Sequence, residues 1–179
     1  MKRYILTGTP GAGKTMLLRF LEMRGHMVVE EAATDHITLA QAQGRPEPWR
    51  EPGFVDAIVA LQKRRQLQAA SAACALQFFD RSPICCWALA SFLDTPPSAA
   101  LTDEIERMAR ERIYERRVFF VQNLGFCAPT AVRRISFADS LRFERLHEEA
   151  YRRFGYECVP IPPGDLTARG EALLAALAG

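Results

Sequence analysis

An eight-residue stretch near the N-terminus has the composition and spacing of a phosphate-binding loop. It runs Gly8-Thr9-Pro10-Gly11-Ala12-Gly13-Lys14-Thr15 and fits the pattern G-x-x-x-x-G-K-S/T. Glycines let the backbone curl so that successive N–H groups face inward toward a phosphate. The Lys14 ammonium can then reach the β- and γ-phosphates, and the Thr15 hydroxyl is placed for Mg²⁺. We therefore expect these eight residues to bind a nucleotide, with Lys14 also acting in catalysis and Thr15 as a metal ligand.

Acidic residues follow two of the predicted strands. In an open α/β sheet, ligands bind at the carboxyl ends of the strands. Asp80 ends one apolar strand, as in a Walker B motif, and is predicted to hold Mg²⁺ and to act in catalysis; the alternative is a helix cap. Glu30 and Glu31 end another strand, where Glu31 is a candidate base for an acceptor hydroxyl and a candidate substrate-binding residue. The alternative for both is stabilisation of a helix N-terminus.

The remaining requirement of phosphoryl transfer is a positively charged group next to the transferring γ-phosphoryl group, where it stabilises negative charge. Arg133 and Arg134 follow a loop after the fourth predicted strand, where a lid would close over the phosphates. We predict that this pair acts in catalysis, with the lid spanning about 122–135. The chain lacks the N/T-K-x-D motif that recognises guanine, which favours ATP over GTP as the cofactor.

Five short apolar segments alternate with helical patterns and predict the elements that position these residues. Uniformly apolar strands separated by helices indicate a parallel sheet with helices on both faces, a three-layer α/β fold. The predicted strands are Arg3–Gly8, His26–Glu30, Leu76–Phe79, Val118–Val121 and Cys158–Ile161. The predicted helices are Gly13–Arg24, Glu31–Gln43, Gly53 into the low seventies, Pro83–Phe92, Ser98–Arg112, Ser136–Phe154 and Leu166–Leu177. The insert at about 49–75 is expected to cap an acceptor pocket.

Composition limits the protein classes that remain. The 179 residues are 49% hydrophobic and 25% charged, with a net charge of +2, which predicts a single domain over 1–179. These values exclude disorder and argue against a strongly basic nucleic-acid binder. Of the 23 basic residues only three are lysines, Lys2, Lys14 and Lys63, and Lys14 is the one that a motif explains.

Cysteine and histidine spacing argues against disulfide and zinc sites. The five cysteines form no C-x-x-C pair, and the three histidines, His26, His36 and His147, form no ligand pair. The N-terminus shows no signal peptide, and no apolar run approaches the roughly 20 residues of a membrane span. We therefore expect a cytoplasmic protein with reduced cysteines.

Several features in this order resemble one family, the NadR-type AAA-like P-loop domain group. They are Gly8 to Thr15, Val28 to Ala33, Phe79-Asp80-Arg81, Val118 to Phe120, Arg133 to Phe137, Tyr151, Gly155 and Tyr156. The resemblance implies a five-stranded parallel sheet in the order 2-3-1-4-5. The triplet Asp80-Arg81-Ser82 also resembles the D/E-R-S motif of nucleoside and nucleotide kinases, which implies that Arg81 binds the acceptor substrate.

Two functional hypotheses follow from these residues. The first is a Mg²⁺-dependent kinase that transfers the γ-phosphoryl group of ATP to a small hydroxyl-bearing metabolite, such as a nucleoside or ribosyl compound. In it, either Glu31 or Asp80 orients the acceptor hydroxyl. The second is a regulatory ATPase or GTPase switch that controls a partner. A closed acceptor pocket behind Glu31 and Asp80 would favour the kinase, and an exposed apolar patch without a pocket would favour the switch.

Overall fold

Strands and helices alternate along the chain in the order that the sequence predicts. The structure, a computed structural model, describes residues 1–72, 74–126 and 135–178. The strands are β1 (Lys2–Thr7), β2 (Met27–Val29), β3 (Leu76–Asp80), β4 (Arg117–Val121) and β5 (Glu157–Ile161). The helices are α1 (Lys14–Met23), α2 (Ala32–Ala42), α3 (Phe54–Ala69), α4 (Pro83–Phe92), α5 (Ala99–Arg110), α6 (Phe137–Arg153) and α7 (Leu166–Ala178).

The five strands form one parallel sheet in the order β2-β3-β1-β4-β5, which confirms the predicted fold class and strand order. Side chains alternate between the two faces along each strand. On β1, Tyr4 and Leu6 pack with the buried residues of α1 and α7, whereas Ile5 packs with those of α3 to α6. Helices thus cover both faces of the sheet, and the three central strands, β3, β1 and β4, are buried between them whereas the edge strands β2 and β5 are partly exposed.

The order of the strands places the predicted site residues at one edge. Leu6 of β1 pairs with Asp80 of β3, so the loop that follows β1 begins beside the Asp80 carboxylate. On the far side of β3, Val29 of β2 pairs with Phe79, and Glu31 follows two residues later. Parallel pairing therefore brings the phosphate loop, Asp80 and Glu31 to the same carboxyl edge of the sheet.

Differences from the predicted elements are confined to their ends and to one loop. The helix expected to continue into the low seventies ends at Ala69. A 3-10 turn occupies Pro48–Arg50 and begins at the last residue of the segment 44–48 that was expected to be an irregular loop. Of the predicted lid, residues 127–134 lie outside the described part of the chain. Among the described helices, none has both the length and the hydrophobicity that crossing a membrane requires.

Gly8 is the point at which β1 passes into the phosphate loop, and the fold leaves no room there for a side chain. Its φ is +128°, and a Cβ added to it would lie 2.2 Å from the carbonyl oxygen of Val121 at the end of β4. The close approach of these two backbones holds the start of the loop against the sheet. An alanine would have to displace backbone atoms rather than a flexible side chain.

We expect Gly8→Ala to destabilise the fold more than Gly25→Ala, a matched change at another positive φ with open space around it. The alanine at 25 bears only the left-handed backbone cost, about 1–2 kcal/mol. The alanine at 8 adds the steric cost of overpacking, about 1–3 kcal/mol. Urea unfolding of both variants measures the difference, and equal losses would contradict the close backbone packing.

Candidate active site

The phosphate loop curls around its own centre through three glycines with positive φ, Gly8, Gly11 and Gly13. Gly13 is the N-cap of α1 and no side chain caps this helix end, so its first N–H groups remain for a ligand. Lys14 Nζ donates to the carbonyl oxygens of Gly8 (3.1 Å) and Thr9 (2.8 Å). The arrangement is a cradle of backbone N–H groups with a buried ammonium beside it.

The charge of Lys14 is balanced by its neighbours. Burial and, next, the Arg81 guanidinium lower the pKa of Lys14 to about 8, against the opposing effect of Asp80 and Glu31. The ammonium is therefore mainly protonated at neutral pH. Although the side chain is buried, it reaches the cavity described below, which the exposed Thr15 also lines.

Asp80 contributes a buried carboxylate with an unused oxygen. Its Oδ1 is buried and has no hydrogen-bond partner, an arrangement that costs free energy until a ligand or water supplies one. Burial, then the nearby Glu31, raise the pKa of Asp80 to about 6, while Lys14 and Arg81 act in the opposite direction. Asp80 does not cap α4, which was its alternative predicted role. The cap is Ser82, whose Oγ accepts from the Ile84 N–H at the start of α4 (3.3 Å).

Glu31 and Arg81 form an ion pair at the same edge, between Oε1 and Nε. Arg81 has a φ of 73°, and its backbone N–H donates to Leu6 O at 2.9 Å, which directs the guanidinium toward Glu31 and the cavity. Burial alone would raise the pKa of Glu31, but Arg81, then Lys14, and a hydrogen bond from Thr34 (2.5 Å) lower it to about 2. Glu31 is therefore ionised at all ordinary pH values.

His147 of α6 completes the surroundings of Arg81 and has no role that the sequence predicts. Its ring is fully buried; Nδ1 lies 2.8 Å from Phe143 O, and Nε2 lies 3.0 Å from Arg81 Nη1. Burial and the Arg81 charge lower the pKa of His147 to about 3, so the ring is neutral. A neutral ring that donates from Nδ1 accepts from Arg81 at Nε2. The sequence does place this residue on the apolar face of a helix, which marks it as buried.

A cavity of about 560 Å³ joins these groups. Its lining combines the phosphate loop and the charged groups of Asp80, Glu31 and Arg81 with apolar walls. These walls include Ile37, Trp49, Phe54, Ile58, Leu89, Phe92 and Phe143. Three of them come from the segment at 49–75 that was expected to cap an acceptor pocket. Arg133 and Arg134 lie outside the described residues, so their catalytic role stays a prediction.

A second polar contact, also absent from the sequence-based prediction, fixes the outer side of the loop. Glu144 of α6 accepts from Thr9 Oγ1 (3.1 Å) and from Asn123 Nδ2 (3.2 Å) just after β4. The partners are distant in the sequence, and no motif indicates them. The loop is thereby held to both α6 and the end of β4.

The buried His147 makes the stability of the fold depend on pH. Because folding lowers its pKa from about 6.5 to about 3, the unfolded chain takes up a proton first as the pH falls. The contribution of the neutral His147 ring to the free energy of unfolding is therefore complete above pH 6.5 and is lost as the pH falls from 6.5 to 3. The neutral variant His147→Gln lacks this loss, so we expect the wild-type unfolding free energy to fall more steeply, by up to about 1.4 kcal/mol per pH unit. Urea unfolding between about pH 7 and 4 compares the two slopes, and parallel curves would refute the buried neutral ring.

Solved structures with the same fold include two named proteins. A structure of deoxyadenosine kinase from M. mycoides with the products dCMP and a flexible dCDP bound matches with a TM-score of 0.63 and 13% identity, covering 98% of each chain. The NadR protein in complex with NAD and AMP-PNP matches with a TM-score of 0.70 and 17% identity. That match covers 99% of this chain and 49% of the other. These TM-scores establish a shared fold, and at identities this low the similarity extends to the fold alone.

Sequence comparison gives the family. No curated protein matches the sequence. A family model described as an AAA domain matches residues 3–169, nearly the whole chain, including the phosphate loop, Glu31, Asp80 and Arg81. The chain therefore belongs to the AAA domain family, and its five-stranded parallel sheet is the fold that the two structural neighbours share.

Proposed function

We propose that this protein is a Mg²⁺-dependent kinase that transfers the γ-phosphoryl group of ATP to a hydroxyl of a small metabolite, such as a nucleoside or a ribosyl compound. The supporting observation is the cavity that runs from the phosphate loop past Asp80 and Glu31 into an apolar pocket. A donor and an acceptor can meet there with the acids at their junction. The structural neighbours, a deoxyadenosine kinase and a protein bound to NAD and AMP-PNP, agree with this class.

The donor half of the cavity suits a magnesium nucleotide. Backbone N–H groups of the loop and the Lys14 ammonium bind the phosphates, and Thr15 and Asp80 offer the oxygen ligands that Mg²⁺ prefers. The unpartnered Oδ1 of Asp80 fits that role, because a cation or its bound water would supply the missing contact. When bound, Mg²⁺ would neutralise charge that develops on the phosphate oxygens. Arg133 and Arg134 are proposed to add positive charge from the lid.

Glu31 and Arg81 are the residues proposed to contact the incoming hydroxyl in the acceptor half. Phosphoryl transfer through a loose transition state needs an oriented nucleophile more than a strong base. An ionised Glu31 can accept a hydrogen bond from the acceptor hydroxyl and so orient it toward the γ-phosphate. Arg81 keeps Glu31 in place, and its remaining N–H groups can contact the acceptor. With Asp80 assigned to the metal, Glu31 is the better candidate for the acid that orients the hydroxyl.

The walls of the acceptor half favour a ring-bearing compound that carries no phosphate. Four aromatic side chains, those of Trp49, Phe54, Phe92 and Phe143, lie there among aliphatic ones, and Gln62 supplies an amide group. Among the described lining residues the cations are Lys14 and Arg81, and both are already hydrogen-bonded to protein groups. An apolar pocket beside the phosphate loop also favours the kinase over a regulatory switch, which has no use for an acceptor site.

Nucleotide binding is expected to depend on Lys14. Lys14→Ala removes the ammonium beside the phosphate cradle, so ATP affinity should fall below detection in calorimetry at ATP concentrations that saturate the wild type. Lys2→Ala is the matched control, since it removes an exposed lysine at the start of β1. Equal ATP affinity in Lys14→Ala and the control would show that the loop is not a nucleotide site.

Phosphoryl transfer is tested by ATP consumption against a panel of nucleosides and vitamins. We expect at least one panel member to stimulate ATP consumption and to appear as a phosphorylated product by mass spectrometry. Asp80→Asn should retain ATP binding and reduce this turnover on the order of 100-fold, because a metal-holding carboxylate is lost. Asp103→Asn, at an exposed position of α5, is the control. Acceptor-independent hydrolysis without a phosphorylated product would favour the regulatory ATPase instead.

A further inference from the structure

A buried arginine lies behind the phosphate loop and takes no part in the mechanism above. Arg169 of α7 is 5% exposed. Its Nη1 donates to Ala12 O (2.9 Å) and its Nη2 to Gln122 O (3.1 Å), just after β4. Its Nε is buried without a hydrogen-bond partner, and within the described residues the guanidinium forms no ion pair with a carboxylate. The buried guanidinium of Arg81, by contrast, has such a partner in Glu31.

The contact with Ala12 determines the direction of the next peptide N–H. In a trans peptide the carbonyl and the following N–H point in opposite directions. Because Ala12 O faces Arg169, the N–H of Gly13 faces away from it, toward the inner side of the loop. Gly13 lines the cavity, and among the described residues its N–H donates to no backbone carbonyl. A Cβ on Gly13 would lie 3.0 Å from Arg169 Nη1, so the glycine and the arginine fit each other.

The charge of Arg169 has no compensation within the described protein. A buried cation without a counter-ion costs free energy, and guanidinium remains charged in proteins. The missing negative charge would be supplied by an anion bound on the other side of the loop. A polyphosphate is such an anion, and the loop is its predicted site.

We propose that Arg169 is a positioning residue for the phosphate loop, which orients the Ala12–Gly13 peptide toward bound phosphates and adds a positive charge behind them. The proposal rests on the nucleotide binding in the proposed function, but not on the identity of the acceptor. It predicts that Arg169 matters more as the number of phosphates on the nucleotide increases. A residue that only holds α7 in place would affect all nucleotides equally.

The test compares the affinities of ATP, ADP and AMP for the wild type, Arg169→Met and Arg169→Lys by calorimetry. We expect Arg169→Met to weaken ATP binding about tenfold or more, as for a lost charged hydrogen bond, and to weaken AMP binding much less. Arg169→Lys keeps the charge but cannot span the carbonyls of Ala12 and Gln122, so its ATP affinity should lie between those of the wild type and Arg169→Met. Arg24→Met is the matched control, because Arg24 also bonds α7, through Glu171 at the surface (2.7 Å).

Equal losses for ATP, ADP and AMP would overturn the proposal, as would an Arg169→Met affinity for ATP within twofold of the Arg24→Met value. If Arg169→Met does not fold in a thermal melt, Arg169→Lys decides: weaker ATP binding with unchanged AMP binding supports the proposal, and wild-type affinity for ATP overturns it. A wild-type protein that binds no ATP would instead remove the proposed function before any variant is compared. The two failures are therefore distinguishable.

Discussion

Mutual compensation of four charges, of which those of Lys14, Asp80 and Arg81 are buried and that of Glu31 is half-buried, is the constraint on which the site depends. Lys14, Glu31, Asp80 and Arg81 meet at the carboxyl edge of the sheet, and each contributes to the shifted pKa of at least two of the others. Removing one partner of a buried pair leaves an uncompensated charge. The free-energy cost of that charge exceeds the stabilisation that the pair provided. The Arg81–Glu31 ion pair keeps one carboxylate ionised, whereas burial and the charge of Glu31 raise the pKa of Asp80. The cluster is thus close to neutral before a ligand arrives.

Helix α6 carries the side chains that hold this cluster to the loops around it. His147 accepts from Arg81, Glu144 accepts from Thr9 in the phosphate loop, and the Tyr151 hydroxyl lies 2.8 Å from Ser82 Oγ. These helix residues are separated by three and four positions, so they share one face of α6. A single helix face therefore links the phosphate loop, the cavity that Arg81 lines and the cap of α4. Helix α6 begins shortly after the segment in which the lid is predicted, so the site residues that this helix carries are close to that segment along the chain.

Local patterns suffice for most of the fold. The bounds of α4 are the predicted ones, since Pro83 begins the helix and the apolar run to Phe92 has no competing interpretation. The phosphate loop is likewise local, because its glycines and its lysine act within eight residues. The order of the strands came from the resemblance to a family, because periodicity alone does not say which strands pair. The turn at Pro48–Arg50 was missed because prolines that open a short helix also occur in irregular loops.

The site residues that the sequence-based prediction missed make their contacts with residues that are distant along the chain. His147 and its partner Arg81 are 66 residues apart, and Arg169 and Ala12 are 157 apart. Each polar residue nevertheless stands where its helix is otherwise apolar: His147 four residues after Phe143 and four before Tyr151, and Arg169 between Leu166 and Leu173. A polar side chain in such a position must find a partner when it is buried. The sequence therefore indicates that these two residues are bonded inside the protein, but their partners follow only from the strand order, which decides what each helix covers.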